Sequence, residues 1–310
     1  MVAYVYITVA LAGFLLLNFL ALLKYQNNRI DKINSVLDTE LSGIHSGLDK
    51  YAHLLESKKK ENSSVQIKSE SIEELFQKMK AYSIEQVPTR KSLLRGVTIF
   101  ANLYGSLGPE VFCPEKVRIG TIGDGGKWVC NPWKVPNDSV LFSLGLNNII
   151  SFEEDWQKVV SNRNRLFGFD VDEQNSNTKE TYASIRGVSR VARISTETSH
   201  AIHTSTIEDL AKDAGVTNVE ILKIDIEGAE KTCLIPFLEK FTVCQIYLEI
   251  HGHPIEHAQL LQQIAHLKYR LFSYEVNGYS MEACEYSFIH ESCVDKYGAK
   301  RVANYLDYNE

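Results

Sequence analysis

The chain is 310 residues long, 44% apolar and 23% charged, a composition that excludes a disordered, collagen-like or disulfide-dense miniature protein. Its formal charge of −6 falls almost wholly after residue 80. The globular part is therefore a poor electrostatic match to a phosphate polyanion, and nucleic acid is not an expected partner.

Val2 to Leu23 contains no charged residue, and at about 1.5 Å per helical residue it reaches about 33 Å, enough for a bilayer core. Residues 2–23 are thus expected to form a single-pass transmembrane anchor. The competing reading is a cleaved signal peptide, but the run has no basic n-region, is longer than an ordinary h-region and lacks a small-x-small cleavage site before Lys24. Lys24, Arg29 and Lys32 follow the span, and the positive-inside rule would put them in the cytosol. An anchor followed by a stem and a catalytic domain is also the build of secretory-pathway enzymes, and that analogy favours the ER or Golgi. The six cysteines, all at or beyond Cys113, permit three disulfides in a lumen or six thiols in a cytosol. Asn62-Ser63-Ser64 and Asn137-Asp138-Ser139 are glycosylation acceptors only in a lumen.

Residues 24–80 read as a helical stem and linker. Ile30, Ile33, Leu37, Leu41, Ile44, Leu48, Tyr51 and Leu55 recur at gaps of three and four with one stutter, either a short coiled coil that joins two chains or a lone amphipathic helix. Gly43 and Gly47 each weaken such a helix by about 1 kcal/mol. Lys58 to Ser64 reads as a solvated linker, and Ser71 with Glu74 as a capping box that opens the next helix.

Residues 81–138 are expected to be an N-terminal helix and hairpin extension of the catalytic domain. Arg118-Ile119 and Trp128-Val129 read as strands, so Asp124-Gly125-Gly126 is a hairpin turn rather than a phosphate loop. Cys113 and Cys130 flank this hairpin and could pair.

From 139 to 310, β-branched runs alternate with helical patterns, the signature of a parallel sheet covered by helices. Strands are predicted at 140–144, 166–169, 188–194, 220–224, 243–250, 269–276 and 286–290, giving a doubly wound α/β sheet that ends in an antiparallel hairpin. Ligands of such sheets bind beyond the carboxyl ends of the strands. The first strand ends in Ser143-Leu144-Gly145-Leu146-Asn147-Asn148, and Ser151 with Glu154 reads as a capping box. One glycine where a dinucleotide fingerprint has three disfavours an NAD loop. Asp170, at the end of the second strand, stands where nucleoside-binding α/β proteins hold ribose hydroxyls. The alternative at that point is a metal-dependent glycosyltransferase with Asp170-Val171-Asp172 as its acidic pair.

The fourth strand runs into Lys223-Ile224-Asp225-Ile226-Glu227-Gly228-Ala229-Glu230. With Thr206-Ile207-Glu208-Asp209-Leu210 upstream and Tyr247-Leu248-Glu249-Ile250-His251 downstream, this string resembles the signature of FkbM-type S-adenosylmethionine-dependent methyltransferases. Arg118-Ile119-Gly120, Asp124 to Cys130 and Tyr286 to His290 resemble the membrane-anchored animal methyltransferase-like branch. The resemblance covers roughly 95–300. It implies a class I, Rossmann-like seven-stranded methyltransferase fold with an antiparallel last strand, and S-adenosyl-L-methionine as cofactor. By position it implies that Gly145 and Asn147 contact the methionine part, that Asp170 holds the ribose, and that Asp225 lines the site near the reacting methyl. Asn147 and Ile149 depart from the glycine and polar residue of related sequences, so an inactive methyltransferase-like module is a further alternative.

Asp225, Glu227 and His251 lie at carboxyl ends of predicted central strands and could converge on a hydroxyl to take its proton. They are the candidate catalytic residues, His251 foremost. The expected acceptor is a hydroxylated small molecule, glycan or lipid. His200, His203, His253, His257 and His290 show no metal-ligand spacing, and no metal is expected.

Overall fold

A computed structural model describes residues 2–62, 70–199 and 201–308, the side chains of 2–15 and 57–62 excepted. The chain divides into two compact units, Met1–Glu70 and Ser71–Glu310.

The first unit is one helix, α1 (Val2–Asn62), of 61 residues. It continues through Lys58 to Asn62, where a linker was expected, while Ser63 and Ser64 lie outside the described residues. The apolar stripe from Ile30 to Leu55 is exposed along this helix. The anchor expected over 2–23 falls largely on residues whose side chains are outside the description. Among the described residues, no helix is long and apolar enough to cross a membrane.

The second unit opens with α2 (Ile72–Glu85), whose N-cap Ser71 and Glu74 form the expected capping box. The helices α3 (Val87–Leu94) and α4 (Phe100–Ser106) follow, then the short strand β1 (Val111–Phe112). Next comes the expected hairpin, β2 (Lys116–Ile119) against β3 (Lys127–Cys130). The main sheet contains β4 (Val140–Leu144), β5 (Arg165–Asp170), β6 (Gly187–Val191), β9 (Ile221–Ile224), β10 (Gln245–His251), β11 (Tyr269–Val276) and β12 (Ala283–His290). Two-residue strands β7 (Arg193–Ile194) and β8 (Thr204–Ser205) pair beside it, and β13 (Lys300–Arg301) pairs with β1. The run predicted as one strand over 188–194 breaks at Ala192, whose N–H makes the last bond to β5, at the Asp170 carbonyl 2.7 Å away, before Arg193 and Ile194 turn to pair with β8.

The sheet order is β11-β12-β10-β9-β4-β5-β6. The strands β6, β5, β4, β9 and β10 pair in parallel, and β12 inserts antiparallel between β10 and β11. Connections in the parallel part are made by α5 (Ser151–Val159), α6 (Ser176–Ser184), α7 (Ile207–Asp213), α8 (Glu230–Leu238) and α9 (Pro254–His266). Side chains of the central strands alternate between two apolar layers. Phe142, Leu144, Leu222 and Ile224 face the layer that contains Leu234 and Leu261. Leu141 and Ile221 face the layer of Phe152 and Trp156. Burial on both faces explains why these strands read as continuous apolar runs.

Two disulfides, Cys113–Cys130 and Cys244–Cys293, bind the hairpin and the C-terminal segment to their neighbours. Cys233 and Cys284 are buried thiols.

Candidate active site

The order in which successive strands are added reverses between β4 and β9, and a cleft of about 780 Å³ opens there beyond the strand ends. The topology dictates this position, because the connections from β4 and β9 leave on opposite sides and part the loops between them.

Gly145 follows β4 with φ +83°, and a Cβ placed on it would lie 1.7 Å from the Asp225 carbonyl oxygen. The glycine is required by the close approach of the β9 end, so the turn and Asp225 are one structural unit. Asn147 and Asn148 follow at φ 46° and 56°, a left-handed conformation that asparagine tolerates better than most residues. The substitution at Asn147 is thus compatible with the turn. Ile149 is 57% exposed and lines the cleft. The capping box expected of Ser151 and Glu154 is absent. Ile150 is the N-cap residue of α5 and makes no side-chain cap, while the Ser151 hydroxyl accepts from Thr121 Oγ1 at 2.6 Å.

Asp170 ends β5 and is almost buried. Its Oδ2 accepts the Asn147 N–H at 2.6 Å and its Oδ1 the Asp172 N–H at 2.9 Å. The carboxylate is thereby aimed along the β4 turn, and each oxygen retains a lone pair for a further donor. Asp170 is held by the backbone N–H groups of Asn147 and Asp172.

Asp225, Glu227 and His251 line the same cleft. Asp225 follows β9, Glu227 stands in the next turn at φ 54°, and His251 ends β10. His251 Nε2 is 3.5 Å from Glu227 Oε2 and 3.8 Å from Glu249 Oε1, and its Nδ1 is 3.6 Å from Glu230 Oε1. Glu230 is fully buried and is fixed by the N–H groups of Gly228 and His251, at 2.8 and 3.1 Å.

Lys127, Glu230, Glu249 and Glu285, charged residues around Asp225 and His251, were not identified as site residues from sequence. The Lys127 ammonium, buried to 1% exposure, donates to Glu285 Oε1 and lies 3.8 Å from Glu249 Oε2 and 4.0 Å from Asp225 Oδ2. Glu249 and Glu285 are cross-strand partners, and so are Glu285 and Glu275. Three carboxylates thus stand in a row across β10, β12 and β11. Like charges so placed repel, and the hairpin supplies the countercharge: Lys127 for Glu285, and Arg118 as a bidentate partner of Glu275 at 2.9 and 3.0 Å.

Burial, then repulsion from Glu285 and Asp225, pushes the Glu249 carboxyl up to about 9. The Glu230 carboxylate facing it raises His251 to about 9 against the opposing effect of burial. Burial lowers the Lys127 ammonium, but Glu285, Asp225 and Glu249 outweigh it, so the net shift is upward. The signal for Glu249 was its i, i+2 spacing to His251, which puts both on one strand face. Glu285 was missed because β12 was predicted to start at Tyr286, three residues after its true start at Ala283.

A mostly parallel seven-stranded sheet with one inserted antiparallel strand, a glycine turn and a strand-end aspartate in one cleft defines a Rossmann-like domain, a fold whose ligands bind at the strand ends. A family described as "Methyltransferase domain" matches residues 62–290, and the chain belongs to it. This match is broader than the FkbM family or its membrane-anchored branch. No curated protein matches the chain significantly. Among solved structures, the chain is similar to the C-terminal domain of precorrin-6Y C5,15-methyltransferase from Rhodobacter capsulatus, with 13% identity, 51% of this chain and 82% of that one covered, and a TM-score of 0.30. TrmK of M. capricolum, solved with S-adenosyl-homocysteine, has 7% identity, coverages of 57% and 71%, and a TM-score of 0.33. The tRNA methyltransferase TrmK of B. subtilis has 12% identity, coverages of 53% and 66%, and a TM-score of 0.32.

Proposed function

We propose that this protein is an S-adenosylmethionine-dependent methyltransferase that acts on a hydroxyl group of a small molecule, glycan or lipid. The observation that carries the reading is the joint placement of Asp170 and the Gly145 turn in the same cleft as Asp225, within a chain of the methyltransferase domain family. The residues present fit the cofactor. Asp170 keeps lone pairs for two ribose hydroxyls, Leu146, Phe169, Val171, Ile194 and Ile226 give the cleft apolar surface, and Asp225 and Glu227 supply negative charge. The cofactor, when bound, supplies an activated methyl on a sulfonium. The chain's own contribution is to hold the acceptor oxygen in line with that methyl; the carboxylates of Asp225 and Glu227 are the groups at hand to receive the hydroxyl proton, and His251, held in its protonated form beside Glu230, orients Glu227 from 3.5 Å.

Two disulfides favour an oxidising compartment of the secretory pathway. The uncharged run from Val2 to Leu23 supports attachment to its membrane, and the exposed stripe of α1 supports pairing with a second copy. The resemblance to the membrane-anchored branch is consistent with all three.

Calorimetric titration of the full chain with S-adenosylmethionine tests the cofactor assignment. Micromolar binding that Asp170→Ala weakens by tenfold or more is the expected result. A folded protein without measurable affinity for the cofactor would refute the assignment.

A further inference from the structure

The row of strand-end carboxylates is more acidic than cofactor binding requires. Asp225, Glu249 and Glu285 surround one fixed cation, Lys127, and Glu230 stands behind His251. Among the described residues, one ligand atom each from Asp225, Glu249 and His251 lie within 4.8 Å of one another. Donors around a single first-row ion stand about 3 Å apart when each is about 2.1 Å from the metal, so modest side-chain rotation closes the set. We propose that Asp225, Glu249 and His251 form a divalent-cation site on the floor of the cleft.

Two further observations point the same way. The first is the support of His251. Its Nδ1 is buried without a hydrogen-bond partner and faces Glu230 Oε1 at 3.6 Å, on a fully buried carboxylate that the backbone holds in place. Its Nε2 is directed toward Glu249 and Glu227. A histidine that turns one nitrogen to a buried carboxylate and presents the other to acidic oxygens has the arrangement that orients metal-ligating imidazoles. The second is Glu285, 8% exposed, whose Oε2 has no hydrogen-bond partner. This residue also groups with Asp124 and Glu249 within 4.8 Å.

Lys127 does not pre-empt the site. It faces Glu249 Oε2 and Asp225 Oδ2, whereas His251 faces Glu249 Oε1, so ammonium and imidazole address opposite oxygens of Glu249. Oε1 accepts a bond from Asn277 at 3.4 Å, long enough to be exchanged for an ion. The mixed imidazole and carboxylate donor set suits manganese or zinc better than calcium, which prefers oxygen alone. The inference deepens the methyltransferase reading of this cleft and rests on it for its purpose. An ion here would bind the acceptor oxygen as it loses its proton, leaving the exposed Glu227 as the proton's receiver.

The full chain, stripped with chelator, is titrated with MnCl2, and free Mn²⁺ is followed by its six-line EPR signal, with ZnCl2 as competitor. One ion per chain is expected. Glu249→Gln and His251→Ala should weaken binding at least 100-fold, Glu230→Gln about 10- to 100-fold, and Asp170→Asn should leave it unchanged. Circular dichroism verifies that each variant is folded. Failure of the folded wild type to take up either ion, or equal uptake by Glu249→Gln and His251→Ala, overturns the proposal. S-adenosylmethionine titration of the same samples keeps the two readings apart, because cofactor binding without ion binding refutes only the cation site.

Discussion

Removing Lys127 tests whether the hairpin neutralises the acidic row. In Lys127→Met the shape of the buried chain is largely retained, but Glu285 Oε1 loses its donor, and Glu249 and Asp225 lose the ammonium that lies 3.8 and 4.0 Å away. Breaking a buried pair by deleting one partner costs about 3–5 kcal/mol, because the remaining charge stays desolvated. For a unit of this size each kcal/mol lowers Tm by about 2–4 °C, so a fall of about 6–20 °C is expected. Urea unfolding with chelator present measures the change without any bound cation, and the shift should appear in the midpoint rather than the slope. Replacing both partners by apolar groups is far less costly than deleting one, so Lys127→Met with Glu285→Leu should recover most of the loss. Arg118→Met removes a pair whose members are 16% and 34% exposed, and should cost about 1 kcal/mol by comparison. The reasoning is refuted if Lys127→Met loses less than 1 kcal/mol, or if the double variant is no more stable than the single one.

Gly145→Ala should destabilise by about 2–5 kcal/mol, combining left-handed strain with overpacking against the Asp225 carbonyl, and thermal unfolding that leaves Tm unchanged would contradict it. Burial holds His257 below its usual range, between Tyr286 Oη at 2.8 Å and the Glu282 carbonyl at 3.1 Å. Its neutral form is the folded one, so its contribution is complete above about pH 6.5 and lost as pH falls through its lower folded value. His257→Gln should flatten that acid limb in urea midpoints measured from pH 7.5 to 5. The Cys113–Cys130 and Cys244–Cys293 bonds close separations of 17 and 49 residues, so their Ser pairs should cost about 3 and about 4 kcal/mol. Equal midpoints with and without reductant would exclude both bonds from the folded protein in solution.

The parallel strands were legible because burial on both faces makes each a short apolar run: Val140–Leu144 and Ile221–Ile224 lie wholly within the core. Asp170 and Asp225 were legible for the same reason, since a carboxylate that interrupts an apolar run marks a strand end, and the topology makes strand ends the site. The hairpin turn could be read from Asp124-Gly125-Gly126, but its purpose could not. Lys127 meets Glu285 across 158 residues, and no local pattern connects them. A lone lysine in a hairpin reads as solvated, and glutamates on a strand read as an exposed face, until each is seen to bury the other. The Ser151 box failed in the opposite way. The local spacing was right, but tertiary structure had another use for the hydroxyl, which takes its hydrogen bond from Thr121 in the hairpin loop.

These outcomes have one physical origin. Glu249, Glu285 and Glu275 occupy one face across three neighbouring strands, where unscreened repulsion would work against the antiparallel insertion that completes the sheet. The β2–β3 hairpin resolves it with Lys127 and Arg118, and Trp128 Nε1 adds a bond to Glu275 at 2.7 Å. Its base is tied by Cys113–Cys130, and the Cys130 N–H donates to Gln245 Oε1 at 3.0 Å at the start of β10. The hairpin is therefore bonded at both ends of the strand that carries Glu249 and His251. Because one ammonium serves several carboxylates, the arrangement retains negative charge at the cleft floor. The same side chains that allow the last strand to insert thus set the electrostatics of the proposed site, and a change in the hairpin should alter stability and cleft chemistry together.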